Sequence, residues 1–285
     1  MAVMLDNRLT LRRMTPDDVA AVHRLSKAEQ WPHREEDLAD MLAVGQGIVM
    51  EMSGEIVGST MWWKAGETVT TLGMVIVSRQ HRGGGFGRIV MEAALDAIGD
   101  GTIMLNATED GLPLYRRLGF NGIAEILQHQ GTAFHAPLVP LNRDERIRPL
   151  GGADPAIVEG MVEAATGLTR PAIMTLLLDK AHGIVLDRGG TVTGCALFRR
   201  FGRGYVVGPV VAPDVLRAKA LIAQWLGSRS GEFIRLDIPG ECHLSGWLEE
   251  LGLVQVGRVV TMVRGPVPPV AAPGQSFAII SQALC

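Results

Sequence analysis

The segment GIVMEMSGEIVGS, from Gly47 to Ser59, returns without a gap as GIVLDRGGTVTGC, from Gly183 to Cys195, 136 positions later. Each copy predicts two short strands of β-branched residues that are joined by a tight, glycine-bearing turn. At the same offset, Leu11-Arg12-Arg13-Met14 has its counterpart in Ile147-Arg148-Pro149-Leu150. Because a fold that is used twice leaves the same pattern twice, the sequence predicts two tandem domains.

The elements around the first copy predict the architecture of each domain. Thr15-Pro16-Asp17-Asp18 has the hydroxyl cap, the N1 proline and the first-turn acids of a helix start. A second short helix, three antiparallel strands including Val69–Val77, a helix from about Gly87 to Ile98, a strand, a short helix and a last strand follow. This order predicts an α/β fold (an α+β mixed sheet) in which each domain is a largely antiparallel sheet with helices on both faces. The proline-bearing segment between the copies places the domains at residues 1–140 and 145–285.

The composition excludes several classes of protein. The chain has 285 residues, of which 47% are hydrophobic and 20% charged, and a net charge of -3, so we exclude disorder and expect no nucleic-acid or membrane partner. The start of the chain lacks the apolar stretch of a signal peptide, and we expect a cytoplasmic protein. Three scattered cysteines, Cys195, Cys242 and Cys285, do not match a disulfide framework or a zinc site, so we expect no metal.

The densest glycine cluster, Arg82-Gly83-Gly84-Gly85-Phe86-Gly87-Arg88, lies where a strand gives way to a helix. The first N–H groups of a helix are unpaired and carry a partial positive charge, so a loop without side chains there lets phosphate oxygens reach backbone donors. Arg82 and Arg88 can add charge-assisted hydrogen bonds. A tight surface turn is the plain alternative. A dinucleotide fingerprint would follow the first strand of a βαβ unit, and a P-loop would end in GK[ST], which Gly87-Arg88-Ile89 does not match.

These residues resemble the GNAT superfamily of N-acetyltransferases. The main motif of that family is a strand ending in Val-x-Pro, followed by Arg/Gln-x-x-Gly-x-Gly/Ala at the start of a helix. Arg82-Gly83-Gly84-Gly85-Phe86-Gly87 has this spacing, although Arg79 replaces the proline. The second motif of the family is matched by Leu105-Asn106-Ala107-Thr108 and then by Leu114-Tyr115-Arg116-Arg117-Leu118-Gly119-Phe120. The resemblance covers the first half of the chain by element order.

The resemblance implies acetyl-CoA as the co-substrate. Its pyrophosphate is expected on the N–H groups between Arg82 and Arg88, and its pantetheine arm beside Met74–Val77, where a backbone N–H such as that of Val75 polarises the thioester carbonyl. Tyr115 matches the tyrosine that protonates the departing CoA sulfur. Asn106 matches a position that binds the arm or a structured water, with a strand-end cap as the alternative. The expected cofactor-binding residues are Met74, Val75, Val77, Arg82, Gly83, Gly84, Gly85, Phe86, Gly87, Arg88 and Asn106.

The acceptor side carries fewer signals. Trp31 and His33 lie between the first two helices, where the family builds its acceptor pocket, and Trp62 ends a nearby strand. Core packing is the plain interpretation of the tryptophans, and we interpret His33 as a polar surface residue rather than a base. We expect direct transfer of an acetyl group, in a ternary complex, to a primary amine of a small molecule rather than to a protein lysine. A CoA-responsive binding protein whose catalysis has lapsed is the alternative, and a homodimer is a further expectation.

The second half keeps the scaffold and loses the loop. Its strand Val206–Pro213 runs directly into Asp214 at a helix start, where a carboxylate would repel a pyrophosphate. Leu248 stands in the place of Tyr115. We therefore expect this half not to bind acetyl-CoA in the usual way, but to wall the acceptor site or mediate assembly. Asp237, at a strand end, is interpreted as a cap, with contact to a cationic acceptor as the alternative.

Overall fold

The structure is a computed structural model that describes residues 3–6, 9–134, 136–270 and 275–285. Its strands are β1 (Val3–Asp6), β2 (Leu9–Arg13), β3 (Gln46–Met52), β4 (Glu55–Ala65), β5 (Val69–Val77), β6 (Thr102–Ala107), β7 (Asn121–Thr132), β8 (Glu145–Pro149), β9 (His182–Arg188), β10 (Thr191–Phe201), β11 (Gly204–Ala212), β12 (Phe233–Pro239), β13 (Val254–Arg264) and β14 (Gln275–Ala278). Its α-helices are α1 (Val19–Ala28), α2 (Glu35–Ala43), α3 (Phe86–Ile98), α4 (Leu112–Arg117), α5 (Pro155–Thr166), α6 (Pro171–Lys180), α7 (Val215–Ser228) and α8 (Ser245–Glu250). The predicted strand Val69–Val77 is confirmed as β5, and the helix expected from about Gly87 begins one residue earlier.

All of these strands belong to one continuous sheet. Their order is β1-β2-β3-β4-β5-β6-β13-β7-β12-β11-β10-β9-β8, with β14 added beside β11. Among the described residues, pairing is parallel only between β5 and β6 and between β11 and β12, so the sheet is mixed and mostly antiparallel, as predicted.

The two halves exchange their last long strands. β13 of the second half pairs with β6 of the first, from Val260 opposite Ala107 to Arg264 opposite Ile103. In the same way β7 of the first half pairs with β12 of the second, from Phe233 opposite Thr132 to Pro239 opposite Ile126. The division at residues 140–145 stays a prediction, but each half obtains one of its internal strands from the other.

Helices cover both faces of the sheet, because adjacent residues of a strand point to opposite faces. On one face a single core joins the two halves and contains residues of α1, α2, α5 and α6 together with Trp63. On the other face, the core below α3 contains Trp62, and a separate core below α7 contains Trp225. No helix in the described part of the chain has both the length and the apolarity to cross a bilayer.

A repeated ion pair fixes the start of each half. Arg12 contacts both carboxylate oxygens of Asp18 at 2.8 Å, and the backbone N–H of Thr15 donates to the same carboxylate. In the second half, Arg148 makes the same two contacts to Asp154, at 2.6 and 3.0 Å. The two pairs explain why this charge pattern recurs with the hairpin pattern, since each ties its first strand to its first helix.

Candidate active site

The glycine loop lies between β5 and α3. Gly83 and Gly85 have φ values of +84° and +79°, which only glycine adopts without strain, and Gly85 caps the helix. Within the described residues, the N–H groups of Gly83 through Gly87 have no protein acceptor. A row of unpaired donors at a helix N-terminus suits an anion.

The arginines of this loop are held by an acid that the sequence analysis missed. Glu29, at the end of α1, accepts Arg82 Nη2 at 2.6 Å and Arg79 Nε at 3.3 Å, and its side chain is 14% exposed. Arg88 pairs instead with Glu92, one turn along α3, at 2.7 Å. A phosphate bound by Arg82 therefore competes with Glu29, whereas the N–H groups need no exchange of partner.

A bulge in β5 opens the sheet beside this loop. Ser59 lies opposite Ile76 and Met61 opposite Gly73, so two residues, Met74 and Val75, face a single residue of β4. Met74 has a φ of +54°, and the hydroxyls of Ser59 and Thr60 donate to the carbonyls of Met74 and Gly73. In the sequence, the only available signal for this bulge was the pair of consecutive hydroxyl residues, Ser59 and Thr60, within an apolar strand.

The bulge is followed by a separation of the parallel strands. β5 and β6 are paired from Val69 opposite Thr102 to Leu72 opposite Leu105, and no further. Past this point the end of β5 faces an opening instead of a neighbouring strand. Backbone groups at the edge of such an opening are available to an extended ligand.

A groove and a smaller cavity lie side by side at this opening and share part of their lining. A groove of about 1480 Å³ runs past the glycine loop, and a smaller cavity of about 220 Å³ lies beyond it, between the two halves. Both are lined by Trp31, Val75, Thr108 and Tyr115. A ligand in the groove and a second ligand in the cavity would therefore meet at Tyr115.

Tyr115 is held in place by packing alone. Its side chain lies on α4, only 7% exposed, with its ring edge-to-face against Phe120 at 6.0 Å. The described residues provide no hydrogen-bond partner for its hydroxyl. Burial raises the pKa of Tyr115 well above its usual range, so the phenol keeps its proton at neutral pH.

Asn106 lies on the cavity wall with both ends of its amide engaged. Its Nδ2 donates to the Gln282 carbonyl at 3.0 Å, and its Oδ1 accepts the hydroxyl of Thr261 on β13 at 2.8 Å. The structure thus shows Asn106 joining β6 to β13 and to the tail at 279–285, rather than capping its strand.

The three predicted acceptor residues are not brought together. Trp31 and His33 line the small cavity, whereas Trp62 lies on the opposite face of the sheet, packed below α3 with Leu72 and Met91. Trp62 does not line the small cavity, but it lies in the same core as Leu72 and Tyr115, which do line it, so its contact with the acceptor stays a prediction.

His33 is not a surface residue, contrary to the sequence interpretation. It is half-buried between Trp31 and Phe201, with Nδ1 2.9 Å from the Ser26 hydroxyl. Burial and the nearby Arg235 guanidinium lower the pKa of His33 to about 4. The ring is therefore neutral at physiological pH.

The second half has the same bulge and opening, but its own chain occupies the opening. β14 pairs with β11 through Val210, Val211 and Ala212, beyond the point where β11 leaves β12. At the entrance of α7, the carboxylate of Asp214 accepts the N–H of Arg217 at 2.9 Å. This half therefore offers neither a free strand edge nor a free helix N-terminus of the kind found in the first half.

Several residues of the cavity come from the second half and from the tail, and the sequence analysis did not select them. They are Phe201, Arg235, Ser281 and Gln282. Asp237, interpreted as a cap, is fully buried and instead accepts Arg235 Nη2 at 2.8 Å. The spacing gave a signal, since residues two apart on a strand share a face.

The comparisons agree with this geometry. The profile described as "Acetyltransferase (GNAT) domain" matches residues 11–136, and a second profile of the same description matches residues 158–277. YitH of Bacillus subtilis (strain 168), named as an uncharacterized N-acetyltransferase, is 26% identical over 96% of this chain and 98% of its own length.

Two solved structures share the fold over nearly their whole lengths. A putative acetyltransferase from Pyrococcus horikoshii has a TM-score of 0.78 at 18% identity, covering 99% of this chain and 98% of its own. A tandem GNAT protein from the clavulanic acid biosynthesis pathway has a TM-score of 0.68 at 13% identity, covering 90% and 99%. With two matched domains and a full-length relative, the chain belongs to the GNAT acetyltransferase family as a tandem two-domain acyltransferase.

Proposed function

We propose that this protein transfers an acetyl group from acetyl-CoA to a primary amine of a small molecule, in a ternary complex. The observation that carries the proposal is that the groove and the cavity share a wall, which Tyr115 forms together with Trp31, Val75 and Thr108. Membership of the family implies acyl-CoA-dependent N-acetylation.

The residues of the groove fit acetyl-CoA. The N–H groups of Gly83 through Gly87 would hold the pyrophosphate, with Arg82 and Arg88 adding positive charge. The edge of β5 that is no longer paired with β6, from Met74 to Val77, would hold the extended arm. Acetyl-CoA supplies the activated acyl group when it is bound.

Tyr115 then acts as the acid. Its hydroxyl is protonated at neutral pH, as a phenol ordinarily is, and burial extends this to alkaline pH; Tyr115 also lies in the wall that the groove and the cavity share. The CoA thiolate that would leave at this point would be buried as well, and because burial raises the basicity of a thiolate, it would take the proton of Tyr115. Val75, a residue of the bulge, lines both spaces as Tyr115 does, so its backbone N–H would be available to stabilise a developing oxyanion.

The size and enclosure of the cavity favour a small acceptor. Its volume of about 220 Å³ is below the ~300–1,000 Å³ of sites for drug-sized ligands. The second half closes it through Phe201 and Arg235, and the tail closes it through Ser281 and Gln282. A protein lysine would have to enter past these walls.

The first experiment measures cofactor binding by thermal shift. Acetyl-CoA at about 100 times its Kd should stabilise the parent by about 2.7 kcal/mol, or roughly 5 °C. Gly84→Asp places a carboxylate in the loop and should abolish the shift. The control Gly152→Asp alters a glycine that is equally exposed, has no neighbour within 4 Å and lies in the second half.

Thiol release with a panel of primary amines then measures catalysis. Turnover that Gly84→Asp removes and Gly152→Asp leaves in place supports the transferase. Acetyl-CoA stabilisation without turnover on any amine, including lysine peptides, would favour a CoA-responsive binding protein. No stabilisation of the parent would refute the cofactor site.

A further inference from the structure

We propose that the acceptor amine carries a carboxylate, and that Arg235 and Ser281 bind this carboxylate in the small cavity. The inference rests on the proposed function, because it identifies the cavity beyond Tyr115 as the acceptor site. It adds the chemical class of the acceptor: an amino acid or a similar amino carboxylate.

One nitrogen of the Arg235 guanidinium, Nη1, is available for a further hydrogen bond. Its Nε and Nη2 are bonded to Asp237 at 2.8–3.1 Å, and the side chain is 8% exposed. Within the described residues Nη1 has no hydrogen-bond partner, and Arg235 is part of the cavity lining. A guanidinium presents its donors as a fork, so the unused end is suited to a carboxylate oxygen.

Ser281 supplies an independent signal. Its hydroxyl is buried without a hydrogen-bond partner among the described residues, and the residue, 2% exposed, lies between this cavity and a neighbouring one that Arg199 lines. Buried hydroxyls are nearly always paired, so an unpaired one beside a cavity is available to a ligand or to a water molecule. An acceptor-only group such as a carboxylate would satisfy both Ser281 Oγ and Arg235 Nη1.

The charges around the cavity favour an anion. Two buried guanidiniums, those of Arg199 and Arg235, lie 5.4 and 5.6 Å from the Phe201 ring. The two buried carboxylates nearby are already paired, that of Asp237 with Arg235 and that of Asp37 with Arg34. Arg199 donates only to carbonyls, those of Gly208 and Ile280, within the described residues.

The lining contains no acid to attract a second cation. Of the described residues that line the cavity, the charged ones are Arg235 and Arg258, and none is Asp or Glu. Burial is the main cause of the lowered pKa of His33, and Arg235 lowers it further, so this ring adds no positive charge to the cavity at neutral pH. Arg258 is bonded on its outer side to Glu109 and Glu125 and is 46% exposed, so Arg235 is the buried cation of the site. A polyamine or other polycationic acceptor does not fit these charges.

The test compares matched acceptors. Each α-amino acid, together with β-alanine and 4-aminobutanoate, is assayed against its own carboxamide by thiol release at saturating acetyl-CoA. The binding of the same compounds to the CoA complex is followed by thermal shift. We expect the best carboxylates to exceed their amides at least 30-fold in kcat/KM, mainly through KM.

Two variants locate the effect. Ser281→Ala should raise KM for the carboxylate about 5- to 10-fold, yet leave the unliganded protein as stable as the parent, because the hydroxyl it removes is unpaired. Arg235→Met with Asp237→Asn removes both partners of the buried pair and should lower kcat/KM for the carboxylate about 100-fold and for the amide less than 3-fold. The control Arg148→Met with Asp154→Asn removes the equally bidentate pair at the start of the second half, and should not change the preference.

The outcomes separate this inference from the proposed function. Turnover of amides or of uncharged amines as fast as carboxylates would overturn the inference and leave the transferase standing. Carboxylate-dependent stabilisation that Ser281→Ala weakens, without turnover of any compound, would support the inference and refute the transferase. If neither carboxylates nor amides shift the CoA complex or are acetylated, the inference is refuted, whatever acetyl-CoA itself does.

Discussion

Replacing Tyr115 by Phe removes one hydroxyl and keeps the ring. The edge-to-face contact with Phe120 at 6.0 Å is retained by phenylalanine, and no hydrogen bond to another described residue is lost. The free energy of unfolding should therefore change by less than about 0.5 kcal/mol. Any large loss of activity then reflects chemistry rather than folding.

The expected loss follows from the role of the hydroxyl as an acid. A positioned proton donor contributes about 10²–10⁴ in rate, and a 100-fold fall in kcat corresponds to about 2.7 kcal/mol of transition-state stabilisation. The Kd for acetyl-CoA should stay within about twofold, because the hydroxyl lies beyond the loop that holds the phosphates. Because the pKa of Tyr115 is raised, the parent should also show no alkaline loss of kcat below pH 10 that depends on this residue.

Steady-state thiol release gives kcat, and calorimetry gives the Kd. The chain offers a matched control in its second tyrosine, Tyr205, which lies on β11 and lines neither space. Its ring stacks on that of Phe198, with 4.7 Å between the ring centroids. Tyr205→Phe should keep full kcat. A Tyr115→Phe protein that folds, binds acetyl-CoA and retains more than a third of the parent kcat would refute the assignment of the acid.

Three further outcomes are expected. Calorimetry should find one acetyl-CoA per chain, because β14 occupies the opening of the second half; two sites of similar affinity would contradict this. Residues 1–140 expressed alone should lack cooperative unfolding and acetyl-CoA stabilisation, because β13 then no longer separates β6 from β7; a monomeric fragment that unfolds cooperatively would show that the exchanged strand is dispensable. Between pH 6.5 and 4 the unfolded chain binds a proton at residue 33 that the folded chain, with a pKa of about 4 there, does not bind, so the free energy of unfolding falls as the pH is lowered. His33→Gln should reduce this loss between pH 7 and 4.5 by about 2 kcal/mol in urea unfolding, and His182→Gln, at an exposed site, is the control that should not.

Local sequence patterns predicted the strands, turns and glycine loop because each of these features depends on residues that are close together in the chain. The 136-residue repeat follows from strands and turns that each half forms by the same chemistry, and the glycine loop follows from the φ values that Gly83 and Gly85 must adopt. Tyr115 was found through its motif, and the structure places it between the two spaces.

The sequence did not predict which distant strands pair in the sheet or which distant side chains meet. Nothing in the composition of β13 distinguishes β6 from β12 as its neighbour, so the exchange of strands depends on the packing of the whole sheet. Trp62 and Trp63 show the same limit at the level of one strand, because alternation says that they face opposite sides but not which side holds the cavity. The partners of Glu29 are likewise set by where α1 ends in space.

The last residues of the described chain connect the two openings. β14 lies in one, and the segment after it, from Ile279 to Ala283, forms a wall of the other through the contacts of Gln282 with Asn106 and Asp237. A single short segment, residues 275–283, thus closes the opening of the second half and forms part of the wall of the small cavity. Grafting this segment from one tandem relative to another should transfer acceptor preference while the coenzyme-handling copy stays untouched.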